Sequence, residues 1–199
     1  WGGGGTVLSN ANQTVGLDLI VHKTRLIALV ANDNDHLTRR SVDGVTWTAP
    51  TTDVALNLLS NAATANEDTQ FGMLAEVGNE VIAVLYDEAG GTFTFFSSAN
   101  AGDTWTDEAV DIVANVTADG VLGVATYQGI DDKDKLYVLT QSGLYEVDTS
   151  QATWTIIKLP VAQSTSGDEV NCRRLVVHQG MLWIFPSVAT SEPFQAIAM

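Results

Sequence analysis

Apolar positions along this chain fall in short runs separated by clusters of Gly, Asn, Asp and Ser. The runs are rich in Val, Ile, Leu, Thr and aromatic residues, and the 3.6-residue period of an amphipathic helix is nearly absent. Short β-branched and aromatic runs bounded by turn formers read as strands. The pattern predicts strands over 17–22, 25–31 and 37–41, then 71–77, 80–87 and 92–97. It continues with 121–127, 135–140 and 144–147, then 173–178, 181–186 and 194–197. His22-Lys23-Thr24, Val77-Gly78-Asn79 and Gln179-Gly180 are the connections expected of tight hairpins. The stretch 53–67 carries Ala and Leu at mixed spacing and is read as a long loop with room for a helical turn.

The tryptophans give these strands a phase. Trp47, Trp105 and Trp154 each stand in a Thr-Trp-Thr that follows a polar turn. From Trp1 onward, successive members of this series lie 46, 58 and 49 residues apart. Three strands precede each polar turn, so each Trp is expected to open the outermost strand of a four-stranded unit. A period of 40–50 residues with four strands is the signature of propeller blades. The fold class read from the sequence is therefore all-β, a β-propeller of four blade units of about four antiparallel strands. The units run 1–46, 47–104, 105–153 and 154–199 within one domain. One further period would put the next Trp at about residue 200, so the 199 residues read as four periods cut at one point of the repeat. Either the N-terminal segment supplies the outer strand of the last blade and closes a ring, or the four units belong to a larger propeller.

Composition narrows the partners. With 24 Asp and Glu against 9 Lys and Arg, the net charge is −15. So few cations cannot neutralise many phosphates, and nucleic acid is excluded as a partner class, as is an anionic membrane surface. No apolar run approaches the 20 or so residues of a spanning helix, so membrane insertion is not expected. Cys172 is the single cysteine, which leaves no intrachain disulfide and no Cys-based zinc site. It reads as a small buried strand residue. Asn12-Gln13-Thr14 and Asn115-Val116-Thr117 match the N-glycosylation acceptor.

Ser98-Ala99-Asn100-Ala101-Gly102-Asp103-Thr104-Trp105 resembles the Asp-box, or BNR repeat, whose pattern is Ser, any, Asp, any, Gly, any, Thr, Trp. Asn100 replaces the Asp; Ser98, Gly102, Thr104 and Trp105 fit. In the first copy Gly44, Thr46 and Trp47 fit, while Ser41 and Asp43 sit one residue closer. The third copy keeps Thr153 and Trp154, with Asp148 one position early. These residues are structural devices in this reading. The Asp or Asn side chain accepts from backbone N–H groups further along the turn, Gly supplies an unusual φ, and Trp packs between sheets. The resemblance implies a propeller of the kind found in sialidases, sortilin-type receptors, some glycosidases and phage structural proteins.

A sialidase-type site requires three arginines for a carboxylate, a Tyr–Glu nucleophile and an Asp acid–base. The chain has five arginines: Arg25, Arg39, Arg40, Arg173 and Arg174. The adjacent pairs point one member to each face of a strand. Tyr86-Asp87-Glu88 and Asp131–Lys135 gather carboxylates near turns. The latter lacks the spacing and Gly of a calcium loop and reads as a solvated hairpin turn. His22, His36 and His178 are scattered, with His22 and His178 at equivalent strand ends. Gly2–Gly5 reads as a flexible lead-in. No catalytic residue, cofactor or metal site is assigned. The leading expectation is a non-catalytic binding or assembly module, extracellular or on a virion, with a protein or glycan partner or further copies of itself. The alternative is a fragment of a sialidase-like glycoside hydrolase.

Overall fold

The computed structural model describes residues 14–32, 35–49, 72–87, 91–113, 122–128, 133–140, 143–159, 172–186 and 195–197. These residues hold strands and turns and no helix. Four antiparallel sheets follow one another along the chain, each built from strands in sequence order. The first contains β1 (Thr14–His22), β2 (Arg25–Asn32) and β3 (Asp35–Ser41). The second contains β4 (Gly72–Val77), β5 (Glu80–Asp87), β6 (Thr92–Ser98) and β7 (Thr106–Val113). The third contains β8 (Leu122–Gln128), β9 (Asp134–Thr140), β10 (Gly143–Asp148) and β11 (Thr155–Leu159). The fourth contains β12 (Cys172–His178), β13 (Met181–Pro186) and β14 (Gln195–Ile197).

The strands expected from the apolar runs are present to within a few residues at each end. β7 and β11 start directly after Trp105 and Trp154. The first sheet differs. Among the described residues after Trp47, Thr48 joins β3 through a reciprocal pair of backbone hydrogen bonds with Arg40 of 3.0 and 2.9 Å. The sheet boundaries fall between successive outer and inner strands, so Trp-to-Trp units separate each outer strand from the sheet it completes. The stretch 53–67, Gly2–Gly5, both glycosylation acceptors and the N-terminal segment invoked for ring closure lie outside the described residues.

First strands lie side by side, β1 next to β4, β4 next to β8, and β8 next to β12, so the sheets stack face to face in a row. Alternation along the second strand of each sheet builds the row. Val81, Ala83 and Leu85 of β5 enter a core with Ile27 and Leu29 of β2 and with Trp105. Ile82, Val84 and Tyr86 point the other way, into a core with Leu136 and Val138 of β9 and with Trp154. Tyr137 and Leu139 of β9 meet Leu175, Leu182 and Ile184 of the last sheet. The unbroken run Val81–Tyr86 is thus a strand buried on both faces. Each Val, Ile or Leu side chain of the run contributes about 1.5–3 kcal/mol relative to exposure. Tyr86, grouped above with turn carboxylates, is instead a core ring 5.1 Å from that of Phe93. Gly123 lets two first strands approach closely: a Cβ there would stand 3.2 Å from the Leu175 backbone nitrogen.

Candidate functional site

Among the described residues, the hairpin turns between first and second strands at 23–24, 78–79 and 179–180 and the Trp-bearing polar turns lie at one end of the sheets. β1 runs to its turn at 23–24, and β3 ends beside it at Ser41, since Leu26 pairs with both Val21 and Ser41. The second and third sheets repeat this arrangement. At the opposite end the first strands start and the second strands finish. The links from second to third strands and from sheet to sheet leave from there, and they lie outside the described residues.

The turns of the first two sheets are closed by matching hydrogen-bond circuits. In the first, Asp43 Oδ1 accepts from the N–H of Thr46 (2.7 Å) and Val45 (2.8 Å) and from the Ser41 hydroxyl (2.9 Å). The Gly44 N–H donates to Ser41 Oγ at 2.8 Å. In the second, Asn100 Oδ1 accepts from the Thr104 N–H (2.9 Å) and the Ser98 hydroxyl (3.0 Å). Its Nδ2 donates to Thr104 Oγ1 (2.9 Å), and the Gly102 N–H donates to Ser98 Oγ (2.9 Å). Gly102 has φ of 77°, which favours a residue without Cβ. In the third turn Asp148 accepts the Ser150 N–H at 2.9 Å, and no Gly occupies the turn. Thr153 is exposed there, while Trp154 is buried. The Thr46 and Val45 amides and the Ser41 hydroxyl hold the Asp43 carboxyl far below the usual carboxylate range. The Ser150 hydroxyl and then its amide lower Asp148.

Polar contacts also join neighbouring sheets at this end. Arg40 of β3 forms an ion pair with Asp103 of the second turn. Lys23 Nζ donates to the Ala99 carbonyl at 3.0 Å. His22 Nδ1 stands 3.2 Å from Glu76 Oε1. Nearer mid-strand, Asp18 accepts from the Leu74 N–H at 2.7 Å. Tyr127 donates its hydroxyl to the Gly180 carbonyl at 2.6 Å, and Thr126 donates to the Glu76 carbonyl at 2.5 Å. Sequence reasoning missed these clamps because they depend on which sheets are neighbours. The Arg39-Arg40 face alternation was the one signal available.

The components of a sialidase-type centre do not converge among the described residues. Arg40 is bound to Asp103, and Arg39 on the opposite face of β3 donates to the Thr38 carbonyl at 2.9 Å. Arg25 stands at the turn end of β2. Arg173 and Arg174 lie near the start of β12, at the other end. Tyr137 donates to Glu146 Oε2 at 2.9 Å, and Lys135 binds Oε1 of the same carboxylate at 2.8 Å. Tyr137 is fully buried between the third and fourth sheets, so this pair is a cross-strand tie with no room for a sugar. Asp134 begins β9 and is exposed. Among the described residues no three His, Cys, Asp or Glu side chains meet as a metal site would need. No described helix is long and apolar enough to cross a membrane.

No family model matches the chain, and no curated protein matches it. Solved structures do. Over 91% of its length the chain superposes on a Hadza microbial sialidase with a TM-score of 0.56 and 16% identity. It superposes on the GH32 β-fructofuranosidase BmSUC1 of Bombyx mori over 92%, with a TM-score of 0.51 and 11% identity. It also superposes on a mutant of the GH43 protein BlXynB from Bacillus licheniformis over 89%, with a TM-score of 0.50 and 10% identity. The chain spans 36%, 45% and 37% of those three chains. All three neighbours are β-propellers. The row of antiparallel sheets in this chain is a β-propeller fold.

Proposed function

We propose that this chain is a segment of a carbohydrate-processing β-propeller and contributes sugar-facing residues from the end opposite its polar turns. The likeness to a sialidase over nearly the whole chain carries this reading, and GH32 and GH43 proteins support it. The distribution of polar groups agrees. At the turn end, Ser41, Asp43, Ser98, Asn100, Arg40 and Asp103 close turns or join sheets, which leaves the opposite end for ligand. Within the proposal the turns are Asp-box repeats that hold four blade units of a longer ring. A glycan partner and an extracellular setting follow from it. The non-catalytic assembly module has no observation in its favour.

Calorimetric titration of the purified chain with sialosides, fructo-oligosaccharides and xylo-oligosaccharides tests the proposal. Saturable binding of one class is expected. Arg173→Ala and Arg174→Ala should weaken it by about tenfold or more, because a guanidinium–carboxylate or –hydroxyl bond is charge-assisted. Arg25→Ala, at the turn end, should leave it unchanged. No binding in any class, or equal losses at both ends, would refute the placement.

A further inference from the structure

The seams between neighbouring sheets are closed in two different ways. Between the second and third sheets, Val77 and Ile82 enter an apolar core with Leu136, Val138 and Trp154. By hairpin register the same positions in the third sheet are Tyr127 and Tyr137. Their rings meet edge to face, with centroids 6.2 Å apart. Tyr137 is fully buried against Leu175, Leu182 and Ile184 of the fourth sheet. Tyr127 is half-buried and donates its hydroxyl to the Gly180 carbonyl at 2.6 Å, in the turn between β12 and β13. Apolar burial is non-directional, whereas a hydrogen bond constrains the distance and angle between its partners.

An ion pair stands behind the tyrosines. Glu146 Oε1 binds Lys135 and Oε2 accepts from Tyr137, and both charged side chains are only 15% exposed. Lys135 lies directly opposite Tyr127 in the β8–β9 register. A largely buried ion pair is weak evidence for stability, and its best-attested use is to fix register. We propose that Glu146 and Lys135 hold Tyr137 and Tyr127 in place, and that the Tyr127 hydroxyl sets the position of the fourth sheet against the third. Tyr127 is then a positioning residue for whatever the fourth sheet carries. Its consequence for ligand rests on the reading of a sugar site at the far end of the sheets. There β12 begins with Cys172, Arg173 and Arg174. A shift of about 1 Å at a positioned group can cost about 100-fold.

Backbone hydrogen exchange of the full chain tests the proposal. Tyr127→Phe keeps the ring and removes the hydroxyl. It should speed exchange in β12 and β13 by about fivefold, the equivalent of one hydrogen bond, and leave β5 unchanged. Thr126→Val removes a hydroxyl from the opposite face of β8, where it bonds the Glu76 carbonyl, and should leave β12 and β13 unchanged. Glu146→Ala should reproduce the effect of Tyr127→Phe more weakly. Glu146→Gln, which keeps an acceptor for Tyr137, should restore the parent exchange. Titration of Tyr127→Phe with sialosides, fructo-oligosaccharides and xylo-oligosaccharides should show affinity lowered by about fivefold or more. Unchanged exchange in Tyr127→Phe, a rise shared by every sheet, or Glu146→Gln no better than Glu146→Ala overturns the proposal. Faster exchange with unchanged affinity overturns the link to ligand. A parent chain that binds no saccharide overturns the sugar site, and the exchange comparison still decides the role of Tyr127.

Discussion

The turns over 41–47 and 98–105 use nearly the same hydrogen bonds and end in the same Thr-Trp, yet their tryptophans have different fates. Trp105 is buried among Ile27, Leu74 and Phe96. Trp47 stays half-exposed on the outer face of the first sheet. The hydrogen-bond circuit therefore closes a turn locally, whatever lies beside it. Burial of the indole requires a neighbouring sheet. The polar part of the motif belongs to the turn, and the tryptophan belongs to the interface.

The sharpest break of this comparison is truncation of the two rings. Trp105→Ala should destabilise the chain by about 3–5 kcal/mol in urea unfolding, the usual cost of removing a buried aromatic. Trp47→Ala should cost about 1 kcal/mol, in proportion to the area it buries. Next is the clamp between β3 and the second turn. Arg40→Ala should cost about 1.5–3 kcal/mol, because a charged hydrogen bond is lost in a largely buried setting. A double-mutant cycle with Asp103→Ala should return most of that as coupling. Smaller is the strain in the first hairpin, where Thr24 has φ of 69°. A β-branched residue is disfavoured there, so Thr24→Gly should stabilise by about 1 kcal/mol.

The smallest effect is one of pH, and it separates the two turns by chemistry. The carboxyl of Asp43 is held below its ordinary value by the Thr46 and Val45 amides and the Ser41 hydroxyl. A depressed folded-state value means that its contribution is complete above the unfolded carboxylate range, near pH 4. The contribution disappears as pH falls below that range. Asn100 does not titrate. Asp43→Asn should thus flatten the fall of melting temperature below pH 4, and Asn100→Asp should steepen it. Melting curves at closely spaced acidic pH values read both.

Most of the sheet architecture was legible in the sequence. Strand runs such as Val81–Tyr86 and turns such as Gln179-Gly180 specify structure through local chemistry, and the recurrent Thr-Trp-Thr exposes the repeat. The site was not legible, for a physical reason. Arg40–Asp103, His22–Glu76 and Tyr127–Gly180 span 50 residues or more, so they are set by which sheets stack together. Tyr86 and Tyr137 carry hydroxyls that resemble chemistry in one dimension, and both prove to be core rings.

The central claim is that tryptophan burial marks each sheet-to-sheet interface. Fluorine NMR of the chain labelled with 5-fluorotryptophan tests it directly, with resonances assigned by single Trp→Phe variants. Moving from H2O to D2O at a dilution where the chain is monomeric, Trp105 and Trp154 should show almost no solvent-isotope shift and Trp47 a clear one. Equal shifts at Trp47, Trp105 and Trp154 would contradict the account.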